Sequence, residues 1–91
     1  MNTKEKILEK TLKDVDLVHE NEIIVYNDDV NTFEHVINTL VKVCDHTAEQ
    51  AEQCSLIIHY KGKCSVKSGS YSDLKTMCSK LLDKGLSAEI I

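Results

Sequence analysis

Ile23-Ile24-Val25-Tyr26-Asn27-Asp28-Asp29 is the stretch on which the fold turns. Its first four residues are β-branched or aromatic and read as a strand. The strand stops in three hydrogen-bonding side chains, two of them acidic. Asn and Asp in such a run bond their own backbone and make a turn. The same three groups at a sheet edge also suit a small cation. This segment alone leaves both readings open, and the second landmark, Leu56-Ile57-Ile58-His59-Tyr60, bears on the choice.

Working outward, Phe33, Val36, Ile37, Leu40, Val41 and Cys44 recur at helical spacing and form one apolar stripe. Asn31 or Thr32 is its cap, with Glu34 three positions after Asn31. Thr47 and Gln50 make a capping box for a second helix, on which Ala51, Cys54, Ser55 and Ile58 share a face. Gly62 ends that helix just after His59 and Tyr60. Lys63-Cys64-Ser65-Val66-Lys67 alternates polar and apolar, as a half-buried strand does. Ser70-x-x-Asp73 opens a third helix carrying Tyr71, Leu74, Met77, Cys78, Leu81 and Leu82, and Gly85 suits its end. Leu86-Ser87-Ala88-Glu89-Ile90 alternates again as a last strand. The order β-α-α-β-α-β predicts a two-layer α+β domain over residues 21–91, with three helices packed on one face of a small sheet. Residues 1–20 are rich in Lys, Glu and Asp, with scattered Ile7, Leu8, Leu12, Val15 and Leu17, and read as a flexible N-terminal arm.

Composition excludes several classes of function. Ninety-one residues make one domain with a single core. Eleven basic against fifteen acidic residues, a net charge of -4, argue against a nucleic-acid or anionic-membrane surface. No apolar run approaches the ~18 residues of a membrane span, and Met1-Asn2-Thr3-Lys4-Glu5-Lys6 is no signal peptide. The expected compartment is the cytoplasm. Cys44, Cys54, Cys64 and Cys78 lack the short spacing of a zinc site and fit as reduced core thiols. No metal site is expected.

The end of the first strand and the last turn of the second helix offer the chemistry. A helix C-terminus carries partial negative charge and favours a cation. Neutral His59, the Asn27 carbonyl oxygen and a carboxylate are three acceptors with no Lys or Arg assigned to them. Such a set suits an ammonium group, with Phe33, Val36 and Ile58 able to wall an adjoining slot. Against it, a His near a helix end is ordinarily a capping or surface residue, and Asn27-Asp28-Asp29 also suits a plain turn. Glu34-His35 and Asp45-His46 read as solvated positions. Ser55 and Cys54 are the available nucleophiles, but no neighbour at their spacing marks either as activated, so a binding module is expected and not an enzyme.

Val25-Tyr26-Asn27-Asp28-Asp29, the helix Phe33-Glu34-His35-Val36-Ile37, and Ile57-Ile58-His59-Tyr60-Lys61-Gly62-Lys63 resemble the Clp protease adaptor family ClpS. The motifs occur in order, and the likeness covers residues 22–91. It implies a three-stranded antiparallel sheet, no cofactor, a monomer, and the binding of proteins that begin with a bulky apolar residue. These would pass to an AAA+ unfoldase of the Clp protease, ClpA or ClpC, which the N-terminal extension engages. By motif, Asn27, Asp28 and His59 would bind the substrate's α-amino group. Asp29, Asn31, Phe33, Val36, Ser55, Ile58 and Leu86 would line the pocket for its first side chain.

Four departures are visible. Val30-Asn31-Thr32 stands where many members have Thr-Pro, Phe33 where Met is frequent, and Ser55 where a large apolar residue is frequent. The segment between Gly69 and Leu86 is also shorter than in many members. The implied function is recognition of N-terminal Leu, Phe, Tyr or Trp. The rival is an interaction domain of the same fold, like the ribosomal stalk protein's C-terminal domain, that recruits partners through a helix face.

Overall fold

The computed structural model describes residues 20–91, so the expected arm lies outside the described residues except for Glu20. The elements are β1 (Asn21–Tyr26), α1 (Phe33–Cys44), α2 (Ala48–Lys61), β2 (Lys63–Gly69), α3 (Tyr71–Asp83) and β3 (Ser87–Ile90). The β-α-α-β-α-β order is as the sequence predicts. The sheet runs β2-β1-β3, with both pairs antiparallel.

Local chemistry explains the helix boundaries. The side chains of Thr32, Thr47 and Ser70 cap α1, α2 and α3 by accepting from the backbone N–H three residues on. Of the two candidate caps of α1, then, Thr32 is the one used. Gly62 ends α2 at φ 92, a left-handed conformation open to glycine at little cost. Asp45 ends α1 at φ 56. Asp is among the few other residues that tolerate this region.

Ile23 and Val25 of the central strand pack with Leu40, Cys44, Ala51, Ile58, Val66, Leu74, Leu81 and Leu86 in one core. Ile24 lies outside that cluster yet is buried, flanked in register by Ser65 on one side and Glu89 on the other. On β3, Ala88 and Ile90 are half-buried while Ser87 and Glu89 are exposed, which matches the alternation in the sequence.

His46 corrects the expectation of a solvated position. It is 4% exposed, and its Nε2 donates to the Val66 carbonyl at 2.6 Å. Two features bring this about. The left-handed Asp45 folds the chain back, and the His46 N–H donates to the Leu40 carbonyl at 3.3 Å. On β2 the register jumps, since Ile23 pairs with Lys67 and Ile24 with Ser65. Val66 is the extra residue of this bulge, and a bulge disrupts the ladder locally. His46 therefore ties the α1–α2 connection to a carbonyl at the irregular point of the sheet. Replacing His46 by Ala is expected to lower the unfolding free energy by about 2–4 kcal/mol, through a lost buried hydrogen bond and a cavity. Urea denaturation measures it, and a change under about 0.5 kcal/mol, typical of surface positions, would refute this role.

Candidate functional site

Asn27 and His59 are thirty-two positions apart in sequence and are brought together by one turn. Tyr26 pairs with Lys63, and the Asn27 N–H donates to the Gly62 carbonyl at 2.8 Å. The end of β1 is thus bonded to the cap of α2, and His59 sits in that helix's last turn. The cap at Thr32 starts α1 directly after the Asn27–Asn31 segment, which puts Phe33 and Val36 of its first turn beside the same place.

A cavity of about 470 Å3 opens there. Asn27, Asp28, Asp29, Asn31 and His59 supply its polar lining, while Phe33, Val36, Leu56, Ile58 and Tyr60 supply apolar wall. Ser55 also lines it and is buried. Among the described residues no Lys or Arg contributes. Phe33 and Tyr60, 40% and 76% exposed, stand at the open side. The His59 ring meets Tyr60 edge-on, with centroids 4.9 Å apart and planes at 77°. Leu86, the last of the expected lining residues, is buried and borders a small adjoining void of about 20 Å3 instead of the main cavity.

Asp28 organises the segment between β1 and α1. Its Oδ1 accepts from the backbone N–H groups of Val30 at 3.0 Å and Asn31 at 2.9 Å. Asn31 Nδ2 donates to Oδ1 at 3.1 Å and Oδ2 at 2.8 Å, and Ser87 Oγ donates to Oδ2 at 3.3 Å. These bonds, led by the Asn31 backbone N–H, hold the Asp28 carboxyl below its ordinary value, so the group is firmly anionic. Asn31 also donates to the Gly85 carbonyl at 2.8 Å. The choice between a turn and a cation site, open in the sequence, is therefore no choice for Asp28. It closes the turn, and its charge still borders the cavity.

The remaining reactive side chains lie elsewhere. His35 donates from Nε2 to the Lys84 carbonyl at 2.8 Å, joining α1 to the end of α3. All four cysteines are free, and burial pushes the Cys44 and Cys64 thiols up to about 11, far from a thiolate at neutral pH. Among the described residues no three His, Cys, Asp or Glu side chains are grouped to hold a metal ion. No helix among them is long and apolar enough to cross a membrane.

Two lining residues, Leu56 and Tyr60, were not anticipated. Each directly follows an expected lining residue, Ser55 or His59, and the two are four positions apart, so the second helical row was the available signal. A domain that recruits partners through a helix face has no need of this cavity.

Comparison with known proteins bears on the family and the fold. A curated ClpS adapter of the ATP-dependent Clp protease from Thermosynechococcus vestitus is 35% identical over 65 residues, covering 70% of this chain and 69% of the relative. The structure of Agrobacterium tumefaciens ClpS2 bound to L-phenylalaninamide superposes with a TM-score of 0.72 at 18% identity, covering 79% of this chain and 96% of that one. It shares the fold of three helices and a three-stranded antiparallel sheet. The family profile described as ATP-dependent Clp protease adaptor protein ClpS matches residues 18–89, and the chain belongs to this family of non-catalytic adaptors.

Proposed function

We propose that this adaptor binds proteins whose first residue is a bulky apolar one with a free α-amino group, and delivers them to a ClpA- or ClpC-type AAA+ unfoldase. The observation that carries this reading is the meeting of Asn27, Asp28 and His59 at one cavity with apolar walls and, among the described residues, no Lys or Arg. The exposed Asn27 and His59 side chains accept hydrogen bonds from the ammonium. Asp28, its oxygens already engaged, contributes its negative charge and fixes the segment that carries Asn27 and Asn31. Asp29 adds a second acidic side chain. Phe33, Val36, Ile58 and the aliphatic surroundings of Ser55 receive the first side chain, with Leu86 backing them through the adjoining void. The L-phenylalaninamide held by the Agrobacterium ClpS2 supports the reading, because that ligand pairs a free amino group with one large apolar side chain.

The magnitudes suffice without a cofactor. Burying a large apolar side chain contributes roughly 1.5–3 kcal/mol. Each hydrogen bond to the charged ammonium contributes about 1.5–3 kcal/mol before ordering costs. Micromolar binding, about −8 kcal/mol, is within reach of that sum. The same reading places the protein in the cytoplasm as a monomer, with an arm over residues 1–20 that serves delivery.

Acetylating the peptide's first residue replaces three donors and a charge by one amide N–H. Loss of two charge-assisted bonds predicts at least a hundredfold weaker binding, on the order of 3 kcal/mol. Fluorescence titration of free and acetylated Leu-peptides measures this, and equal affinities would end the amine assignment.

Protonated His59 would present a donor and a positive charge to an ammonium, so binding requires the neutral ring. Imidazoles as a class gain their proton in mildly acidic solution. Asp28 keeps its charge, since its hydrogen bonds hold its carboxyl low. Affinity is expected to fall from about pH 7.5 to about pH 5.5. A flat profile would remove His59 from the amine site.

Every proposed pocket residue lies at or beyond Asn27. Deleting residues 1–18 should leave peptide affinity within about threefold, or ~0.65 kcal/mol, while degradation by the cognate Clp protease fails. Paired binding and degradation assays on full and shortened chains test the division. Lost peptide binding would make the arm part of the pocket, and undiminished degradation would deny it a part in delivery.

A further inference from the structure

A second cavity shares no lining residue with the one described above. It is an open groove of about 290 Å3 between α3 and β3. Tyr71, Cys78 and Leu82 line one side, and Ala88 and Ile90 the other. Tyr71, Leu82 and the neighbouring Ile91 are large hydrophobic side chains, yet each is more than half exposed. On α3, Tyr71, Lys75, Cys78 and Leu82 recur at i, i+4, i+7 and i+11, a row that flanks the buried Leu74 and Leu81. β3 is also an edge strand. Glu22 and Ile91 exchange both backbone hydrogen bonds, at 3.1 and 2.9 Å. In the alternation of an antiparallel pair, Ala88 and Ile90 therefore turn their backbone groups away from β1. Proteins commonly cover such an edge with a further helix or loop.

The chain that precedes β1 is placed to do this. Asn21 pairs with Gly69, two residues before Tyr71, and its Nδ2 donates to the Ile91 carbonyl at 3.0 Å. Residues 1–19, which lie outside the described residues, thus join the fold at the end of the groove where Tyr71 and Ile90 stand. In their sequence Leu8, Leu12 and Val15 stand at i, i+4 and i+7, the spacing of Tyr71, Lys75 and Cys78. From Tyr71 to Leu82 the axis of α3 advances roughly 16 Å. The five residues 16–20 can extend about as far, so the apolar row can reach the length of the groove. Charge agrees with this occupant. The groove has one Lys, Lys75, and one acid, Glu89, while residues 1–19 hold four Lys against four Asp or Glu, so neither calls for a strongly charged partner. Attachment also gives the row an effective concentration on the order of millimolar, which few free partners reach.

We propose that Leu8, Leu12 and Val15 dock into the α3–β3 groove of their own chain. The docked segment covers Tyr71, Leu82 and Ile90 and shields the open edge of β3. The groove and the amine cavity have no residue in common, so docking leaves the cavity open. Residues 8–15 must leave the groove before another protein can take hold of them. The dock stands independently of the amine-pocket reading.

Methyl NMR on the full chain tests this. Cross-peaks are expected from the Leu8, Leu12 and Val15 methyls to those of Leu82 and Ile90, and they should persist on dilution. Leu12→Asp puts a charge into the row and leaves every residue of the described core unchanged. It should abolish these cross-peaks and shift the Leu82 and Ile90 methyls, while Val36 and Ile58 at the other cavity stay in place. Leu82→Asp, at an exposed position, should release the same contacts from the opposite side. Absence of the cross-peaks in the unaltered chain, or Leu82 and Ile90 methyls that ignore Leu12→Asp, would overturn the proposal. Contacts that fade on dilution would assign the groove to a second copy of the chain and overturn it as well.

Discussion

The 2.8 Å hydrogen bond from the Asn27 N–H to the Gly62 carbonyl is the contact on which the candidate site depends. It joins the residue after β1 to the residue that caps α2. The bond requires α2 to stop at one place, and Gly62 at φ 92 makes it stop there. A side chain at this glycine would meet nothing within 4 Å, so the constraint lies in the backbone and not in packing. Any other residue would bear the strain of the left-handed region, which glycine escapes. One turn thus ends the helix that carries Ser55, Ile58 and His59, begins the strand that pairs with β1, and fixes the acceptors of the mouth against each other.

Around this hinge point the charge is managed by hydrogen bonding within the chain. Asp28 accepts from two backbone amides and from the side chains of Asn31 and Ser87, and Asn31 reaches on to Gly85. The segment between β1 and α1 is thereby bound to the start of β3 before any ligand arrives. A carboxylate held this way cannot move far to meet a cation, so its contribution is a fixed negative potential. Under the proposed function, such a field needs no reorganisation when an ammonium enters. The cavity adjoins it with apolar walls from two helices, so one small space has a polar side and an apolar side.

Much of this was legible in sequence where the chemistry is local. Thr47 with Gln50 and Ser70 with Asp73 are pairs three apart, and both mark true helix starts because a cap needs only the next turn. The alternation of Ala88 and Ile90 with Ser87 and Glu89 survives in β3 for the same reason. His46 shows the limit. It follows an Asp and precedes the helix cap Thr47, as a solvated histidine would, yet it is buried because a carbonyl twenty residues later, at a bulge, lies within its reach. Neither the bulge nor the inward turn at Asp45 leaves a mark in the spacing of apolar residues.

The sequence by itself determined the element order, the caps and the glycine that ends α2, because each follows from chemistry within one or two turns of chain, while the pocket residues it offered came through the family resemblance. The tertiary structure alone decided how those residues divide the work. Asp28 became the organiser of a turn because Ser87, fifty-nine positions away, and Asn31 both donate to it. Leu86 was drawn behind the wall while Leu56 and Tyr60 came to line it. Ser55 was left buried, without a hydrogen-bond partner among the described residues, a fact of packing between α2 and its neighbours that no local pattern encodes. A side chain's type is set by its codon, but its hydrogen-bond partner and its exposure depend on whichever distant segment folds against it.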